Sequence, residues 1–181
     1  MNLWLRLVVT IVSALFGPRI PPPDGISRLR FRVWPHDLDL SMHMNNGRYL
    51  GIMDLGRLDL ILRSGLWRSI LRRRWTPVLD AAIIRYRREL RAFRAFRLET
   101  RILCWTGATL LIEQRMLSEG PDGEILHAVA IHRAGIYDRR ARSYVTIERL
   151  MKEIGIRATS PAPPDAVAAF LAAEDALRRS G

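Results

Sequence analysis

The sequence predicts an α+β fold in which an antiparallel sheet of about five strands wraps around one long central helix. Three features predict it. Residues 28–33 alternate strictly, with Leu29, Phe31 and Val33 on one face and Arg28, Arg30 and Arg32 on the other, the pattern of a half-buried strand. Residues 47–64 carry Leu50, Met53, Asp54, Arg57, Leu58 and Ile61 three or four apart, and Ile52, Leu55, Leu60 and Leu62 between them, so this helix is apolar nearly all round. Four strand-like runs then follow in succession. A sheet with one apolar face and a helix that needs cover on most sides bury each other.

The elements can be taken in order. Leu3–Phe16 is apolar apart from Arg6, Thr10 and Ser13. At 1.5 Å per residue it would reach about 21 Å, short of a hydrocarbon core of about 30 Å. It reads as a peripheral membrane contact through residues 1–16, with Trp4 at the interface and Arg6 and Arg19 at the head groups. A signal peptide and a helix packed on the domain are the other two readings. Four prolines between Pro18 and Pro23 make a stiff spacer. The first strand ends at Trp34-Pro35, because proline has no N–H to give a ladder. Asn45 or Asn46 suits the N-cap of the long helix and Gly65 its C′ stop. The later strands are predicted at 76–93, 96–106, 109–118 and 125–137, the last two joined by the turn residues 119–123. A short helix over 146–154 follows, and beyond Pro161, Pro163 and Pro164 a final helix is N-capped by Asp165. The predicted organisation is an apolar segment with spacer (1–23), one domain (24–158), and a linker with a C-terminal helix (159–181).

With 181 residues, 49% hydrophobic and 26% charged, the chain can bury a core without disulfides or a structural metal. Its lone cysteine, Cys104, lies in an apolar run and reads as a small core residue. The formal net charge of +11 raises nucleic-acid binding as an option. Against it, all but one of the 29 basic residues are arginine, Lys152 being the exception, and they are spread through strands and helices. No nucleic-acid partner is therefore expected, and the run Arg72-Arg73-Arg74 reads as a solvated face. Gly-x-Ser-x-Gly, Gly-x-Gly-x-x-Gly and a Gly-Lys-Ser/Thr phosphate loop are all missing from the sequence. His36, His43, His127 and His132 lack metal-ligand spacing, so neither a metal nor a cofactor is expected.

The remaining chemical signal is Asp37-Leu38-Asp39-Leu40-Ser41-Met42-His43-Met44-Asn45-Asn46-Gly47-Arg48-Tyr49. It places a carboxylate just before the start of a buried helix. Helix starts present unpaired N–H groups and partial positive charge, which polarise a carbonyl and stabilise a developing oxyanion. A nearby carboxylate can attack that carbonyl or activate water against it. The competing reading is a turn whose aspartates only accept from backbone amides.

The string Asp-x-x-x-His-x-Asn-Asn-x-x-Tyr, between a strand ending in an aromatic residue and an apolar helix, resembles the four-hydroxybenzoyl-CoA thioesterase-like branch of the hotdog superfamily. The fuller string Asp37–Leu50 is similar to the group typified by thioesterase superfamily member six. The resemblance covers about residues 28–155. It implies a hotdog fold, an acyl-CoA or similar acyl thioester as partner, no cofactor, and thioester hydrolysis. By position Asp39 matches the catalytic aspartate, and His43, Asn45, Asn46, Gly47 and Tyr49 match residues around the substrate. Gly47 and its neighbours would supply amides to the thioester oxygen. Asp54 and Arg57 match an acidic-basic pair and read as a structural ion pair. Many active members have glycine where this chain has Met42. The resemblance also implies a homodimer or homotetramer, since such domains bury their edge strands in an assembly. The expected function is an acyl-CoA thioesterase, cytoplasmic with membrane association. The alternative is a non-catalytic acyl- or lipid-binding protein at a membrane surface.

Overall fold

The computed structural model describes residues 2–180. Its elements are α1 (Leu3–Phe16), β1 (Ser27–Arg32), α2 (Asn46–Arg63), α3 (Leu66–Arg73), β2 (Trp75–Tyr86), β3 (Ala95–Thr106), β4 (Thr109–Gly120), β5 (Gly123–Asp138), β6 (Ser143–Tyr144), α4 (Ile147–Glu153) and α5 (Asp165–Arg179). The sheet is antiparallel in the order β1-β3-β4-β5-β2, with the two-residue β6 beside β5.

The alternation of 28–33 holds: Ser27 and Phe31 are buried in β1 and its arginines exposed. From α2, Tyr49, Ile52, Met53 and Leu55 enter a core with Leu98, Met116 and Ala130 of the sheet. Helix and sheet approach closely at Gly56, where a Cβ would stand 2.3 Å from Thr100 Oγ1 and 2.7 Å from Gln114 Nε2. Any larger residue would push α2 off the sheet. A second core, with Leu60, Trp75, Trp105 and Ile136, is closed by Ile147, Leu150 and Met151 of α4.

The apolar character of α2 on its far side is explained by α1, which packs along it. Arg6, Thr10 and Ala14 are the buried residues of α1, so the helix turns Arg6 and Thr10 inward and leaves Ser13 outside. The N-cap of α2 is Asn45, whose side chain accepts from Gly47 N–H, and Gly65, at φ 84°, follows the C-cap Ser64 as predicted. Cys104 is buried in a cluster with Leu111 and Ile131, and burial pushes its thiol up.

Several elements differ from the sequence expectation. The stretch after Gly65 forms α3, and its arginines do more than face solvent. Arg72 and Arg73 both pair with Glu153 of α4, and the guanidiniums of Arg73 and Arg149 each lie 5.4 Å from the Trp75 ring centroid. β2 ends at Tyr86, short of residue 93, because the chain leaves the sheet there to support the loop ahead of α2: Leu90 O accepts from Met44 N–H at 2.8 Å, and Phe93 N–H donates to Val33 O at 2.9 Å. Asp165 is the first residue of α5, and Pro164 occupies the N-cap position. α5 lies on the outer face of the sheet, with Val167 and Phe170 against Cys104, Leu111 and Ile131 and an ion pair between Arg133 and Glu174.

Candidate active site

The loop between β1 and α2 is held at both ends before it presents any functional group. At its start, Asp37 is buried and accepts from Arg6 (3.1 Å to Oδ1, 2.5 Å to Oδ2) and from Trp34 N–H (2.9 Å), while Arg6 also donates to Arg32 O at 2.9 Å. Asn45 N–H donates to Asp37 O at 2.8 Å, which ties the loop's exit to its entrance. Asp37 is therefore a structural carboxylate, with its lone pairs directed at the loop and at α1.

Asp39 is placed differently. The bridge between Leu38 and Met44 and the bond from Asp39 N–H to His43 O at 3.0 Å close a small hairpin with Asp39 on its rim. Its carboxylate accepts from Ser41 N–H at 2.9 Å, has His43 Nδ1 3.5 Å away, and keeps 26% of its surface exposed. One oxygen is steadied by a backbone donor while the group stays open to an incoming molecule. His43 is half-buried and bridges Arg91 through its backbone.

Met42 has φ 62°, the left-handed conformation that favours glycine. Its side chain is 66% exposed and lies outside the core. The backbone thus takes a glycine-like turn despite the side chain, at a cost of about 1–2 kcal/mol.

The helix start follows directly. Asn46, at the first helical position, has an N–H with no intrahelical acceptor. The next amide, Gly47 N–H, donates to Asn45 Oδ1 at 2.9 Å, so the cap occupies the donor that sequence matching assigns to a thioester oxygen. Asn45, Asn46 and Gly47 are all exposed. Tyr49 is buried, with its ring 5.0 Å from that of Tyr86 in an edge-on arrangement, and burial pushes its hydroxyl up to about 12. Tyr86 in turn donates to Asn46 O at 3.2 Å. The fold thus brings Asp39, His43, Asn45, Asn46 and Gly47 together at one rim, and sets Tyr49 behind them as packing.

A separate apolar cavity of about 330 Å³ lies beside the second half of α2, walled by Leu58, Ile61, Val78, Ile112, Ile136 and Leu150, with Asp54 and Arg57 at its polar end. None of the six motif residues lines it. Asp54 is eight positions after Asn46, so the polar end of the cavity is about 12 Å further along the helix. Asp54 and Arg57 form the expected ion pair.

Two features escaped sequence reasoning. The first is the Arg6–Asp37 pair, signalled only by a lone arginine on the face of an apolar segment shared with Thr10 and Ala14. The second is a polar cluster under α2. Arg57 donates to Gln114 Oε1 at 2.9 Å and lies 3.4 Å from His132 Nδ1, and Gln114 Nε2 donates to Met53 O and Thr100 Oγ1, each at 2.8 Å. Burial, with the Arg57 charge adding to it, lowers His132 to about 3. Polar residues at inward positions of β4 and β5 were the available signal. Among the described residues, no group of three or more His, Cys, Asp or Glu side chains is placed to hold a metal ion.

Known proteins resemble this chain in sequence and in fold. The model of the thioesterase-like superfamily matches residues 33–171. The proteins named THEM6 from Xenopus laevis and Danio rerio are each 42% identical to the chain, over 86 and 94 residues, which is 48% and 52% of this chain. Those matches span 42% and 46% of the two relatives, so this chain spans under half the length of each. Among solved structures, the probable thioesterase YbaW from Escherichia coli superposes with a TM-score of 0.65 at 21% identity, over 71% of this chain and 95% of that one. A 4-hydroxybenzoyl-CoA thioesterase variant in complex with 4-hydroxybenzoyl-CoA superposes with a TM-score of 0.64 at 11% identity, over 71% and 97%. At these identities the structures establish the fold, which is the hotdog fold.

Proposed function

This chain belongs to the thioesterase-like superfamily, and on that premise we propose that it hydrolyses acyl-CoA thioesters, with Asp39 as nucleophile or general base. The observation that carries the reading is the Asp39 carboxylate, one-quarter exposed and steadied by Ser41 N–H on the rim just ahead of α2. A thioester carbonyl laid against the helix start meets the Asn46 N–H and the positive end of the helix dipole, where an oxyanion is stabilised. Asp39 then either attacks the carbonyl carbon or takes a proton from water that attacks it. In the first case the C–S bond breaks to release CoA thiolate and leave a mixed anhydride that water hydrolyses. In the second the tetrahedral intermediate collapses to the carboxylic acid and CoA thiolate, which receives the proton. His43, 3.5 Å from the carboxylate, orients it. Asn45 and Gly47 shape the entry, and Tyr49 supports it from the core.

In this reading the acyl portion extends along α2 toward the apolar cavity, whose Asp54 end lies about 12 Å along the helix from its start. An extended fatty chain covers that distance and an aryl ring does not, so fatty acyl-CoA is the substrate class we place first. This reading also includes contact of the apolar outer face of α1 with a membrane surface and assembly into a homodimer or homotetramer.

A second reading, a non-catalytic acyl-binding protein, is favoured by one observation: Asn45 Oδ1 already occupies the Gly47 N–H. Thiol release from palmitoyl-, short-chain and aryl-CoA, followed for the wild type and Asp39→Asn, separates the two. Hydrolysis that Asp39→Asn abolishes supports the enzyme. Saturable binding with no turnover by the wild type supports the binding protein.

A further inference from the structure

We propose that the outer face of α1 is a docking surface for an anionic lipid bilayer, lying in the head-group region with the helix parallel to the membrane. The helix is built inside out for a water-exposed element. Its polar residues Arg6 and Thr10 are buried, while Trp4, Leu5, Val8, Val12, Leu15 and Phe16 form an exposed strip, with Trp4 at 74% and Phe16 at 88% exposure marking its two ends. A surface helix of a soluble domain normally shows the reverse arrangement.

Two observations select lipid as the occupant over a second protein surface, and a third sets its mode of contact. The strip offers little directional chemistry: its one hydroxyl, Ser13 Oγ, donates to Val9 O at 2.6 Å, which leaves the Trp4 indole N–H, at one end, as its side-chain donor. Protein interfaces are registered by about one hydrogen bond per 100–200 Å², which this face cannot supply, whereas acyl chains ask for none. Charge is the second. Residues 1–23 contain no Asp or Glu in a chain of net charge +11. Arg19 is exposed just past the helix and its guanidinium reaches the Gly65 turn, with Arg68 exposed in the first turn of α3. The Phe16 end of the strip is thus bordered by a basic cluster, the complement of anionic head groups. Length is the third. Among the described residues no helix is long and apolar enough to cross a membrane, and the 14 residues of α1 fit an interfacial position.

The attachment is rigid. Arg6 is paired with Asp37, two residues before Asp39, so a bilayer that holds α1 also holds the loop bearing Asp39. Bending α1 away from the domain would leave both buried charges without partners.

The test is co-sedimentation of the full chain with vesicles of pure phosphatidylcholine and with vesicles in which about one-third is phosphatidylserine. The expected result is binding to the anionic vesicles, weakened at high salt, with little to the neutral ones. Val8→Gln/Val12→Gln should lower that binding at least tenfold with an unchanged melting temperature, since both side chains are exposed. Arg19→Glu/Arg68→Glu should lower it while leaving the residual binding insensitive to salt. Absence of wild-type binding to either vesicle overturns the proposal. So does equal binding by Val8→Gln/Val12→Gln, or a fall in that variant's mass by light scattering, which would make the face a contact between copies.

Discussion

Protonating His132 in the folded protein would set a second positive charge beside Arg57 in a site with no access to water, and this makes stability depend on pH above the range where carboxylates titrate. His132 is fully buried, with Nδ1 3.4 Å from an Arg57 guanidinium nitrogen, and burial first and Arg57 second lower it from 6.5 to about 3. The unfolded chain takes up a proton there below pH 6.5 and the folded chain does not. Lowering the pH therefore favours the unfolded state, by about 1.4 kcal/mol per pH unit between 6.5 and about 3. From pH 7 to pH 5 the loss is about 2 kcal/mol, a large share of the 5–15 kcal/mol typical of a domain. His127, also lowered by burial, adds a loss of the same sign. Glu99, Glu153 and Asp138, held below the usual carboxylate range by arginine and hydrogen-bond partners, lose their contributions only at lower pH. The assay is urea unfolding at intervals from pH 7 to pH 5, for the wild type and His132→Gln. A wild-type slope that the variant reduces is expected, together with His132 imidazole resonances that stay neutral at pH 5 by NMR. A flat wild-type profile, or an unchanged slope in the variant, would refute the reasoning.

Other consequences are equally concrete. Arg6→Met or Asp37→Asn alone should cost about 3–5 kcal/mol in denaturant unfolding, because each leaves a buried group unpaired, while Arg6→Met/Asp37→Leu should recover much of the loss; additive losses would show that the two do not act as a pair. Met42→Gly should raise stability by about 1 kcal/mol by removing a left-handed non-glycine residue; a fall in melting temperature would mean that the exposed Met42 side chain makes a contact that matters. β2 ends the sheet order and exposes Leu79, Ile83 and Tyr86, so light scattering should find at least a dimer, and Ile83→Lys should shift it toward monomer. A wild-type monomer at micromolar concentration would remove the edge-strand assembly.

The fold was legible where periodicity and burial agreed. Alternation at Leu29, Phe31 and Val33 and the all-round apolar pattern of residues 47–64 each follow from a demand for cover that only one arrangement meets. α3 was hidden because Gly65 serves two helices at once, ending α2 and preceding Leu66, and because arginine spacing does not reveal that Arg72 and Arg73 reach Glu153 on a distant element. β2 read too long because residues 87–93 look like strand, yet Leu90 is needed under the site loop to bond Met44. The site itself was legible as a string of residue types. Its internal division was not: whether Asp37 or Asp39 is free depends on Arg6, thirty-one positions upstream of Asp37. Backbone conformation was equally out of reach, since Met42 adopts a turn that its side chain disfavours.

The central claim is that Asp39 performs chemistry, and single-turnover hydrolysis of pre-bound palmitoyl-CoA tests it most directly. The expected result is that Asp39→Asn binds the substrate within a few-fold of the wild type while its hydrolysis rate falls by a factor on the order of 10²–10⁴, the range a positioned acid-base group supplies. Equal hydrolysis rates for wild type and Asp39→Asn would contradict it.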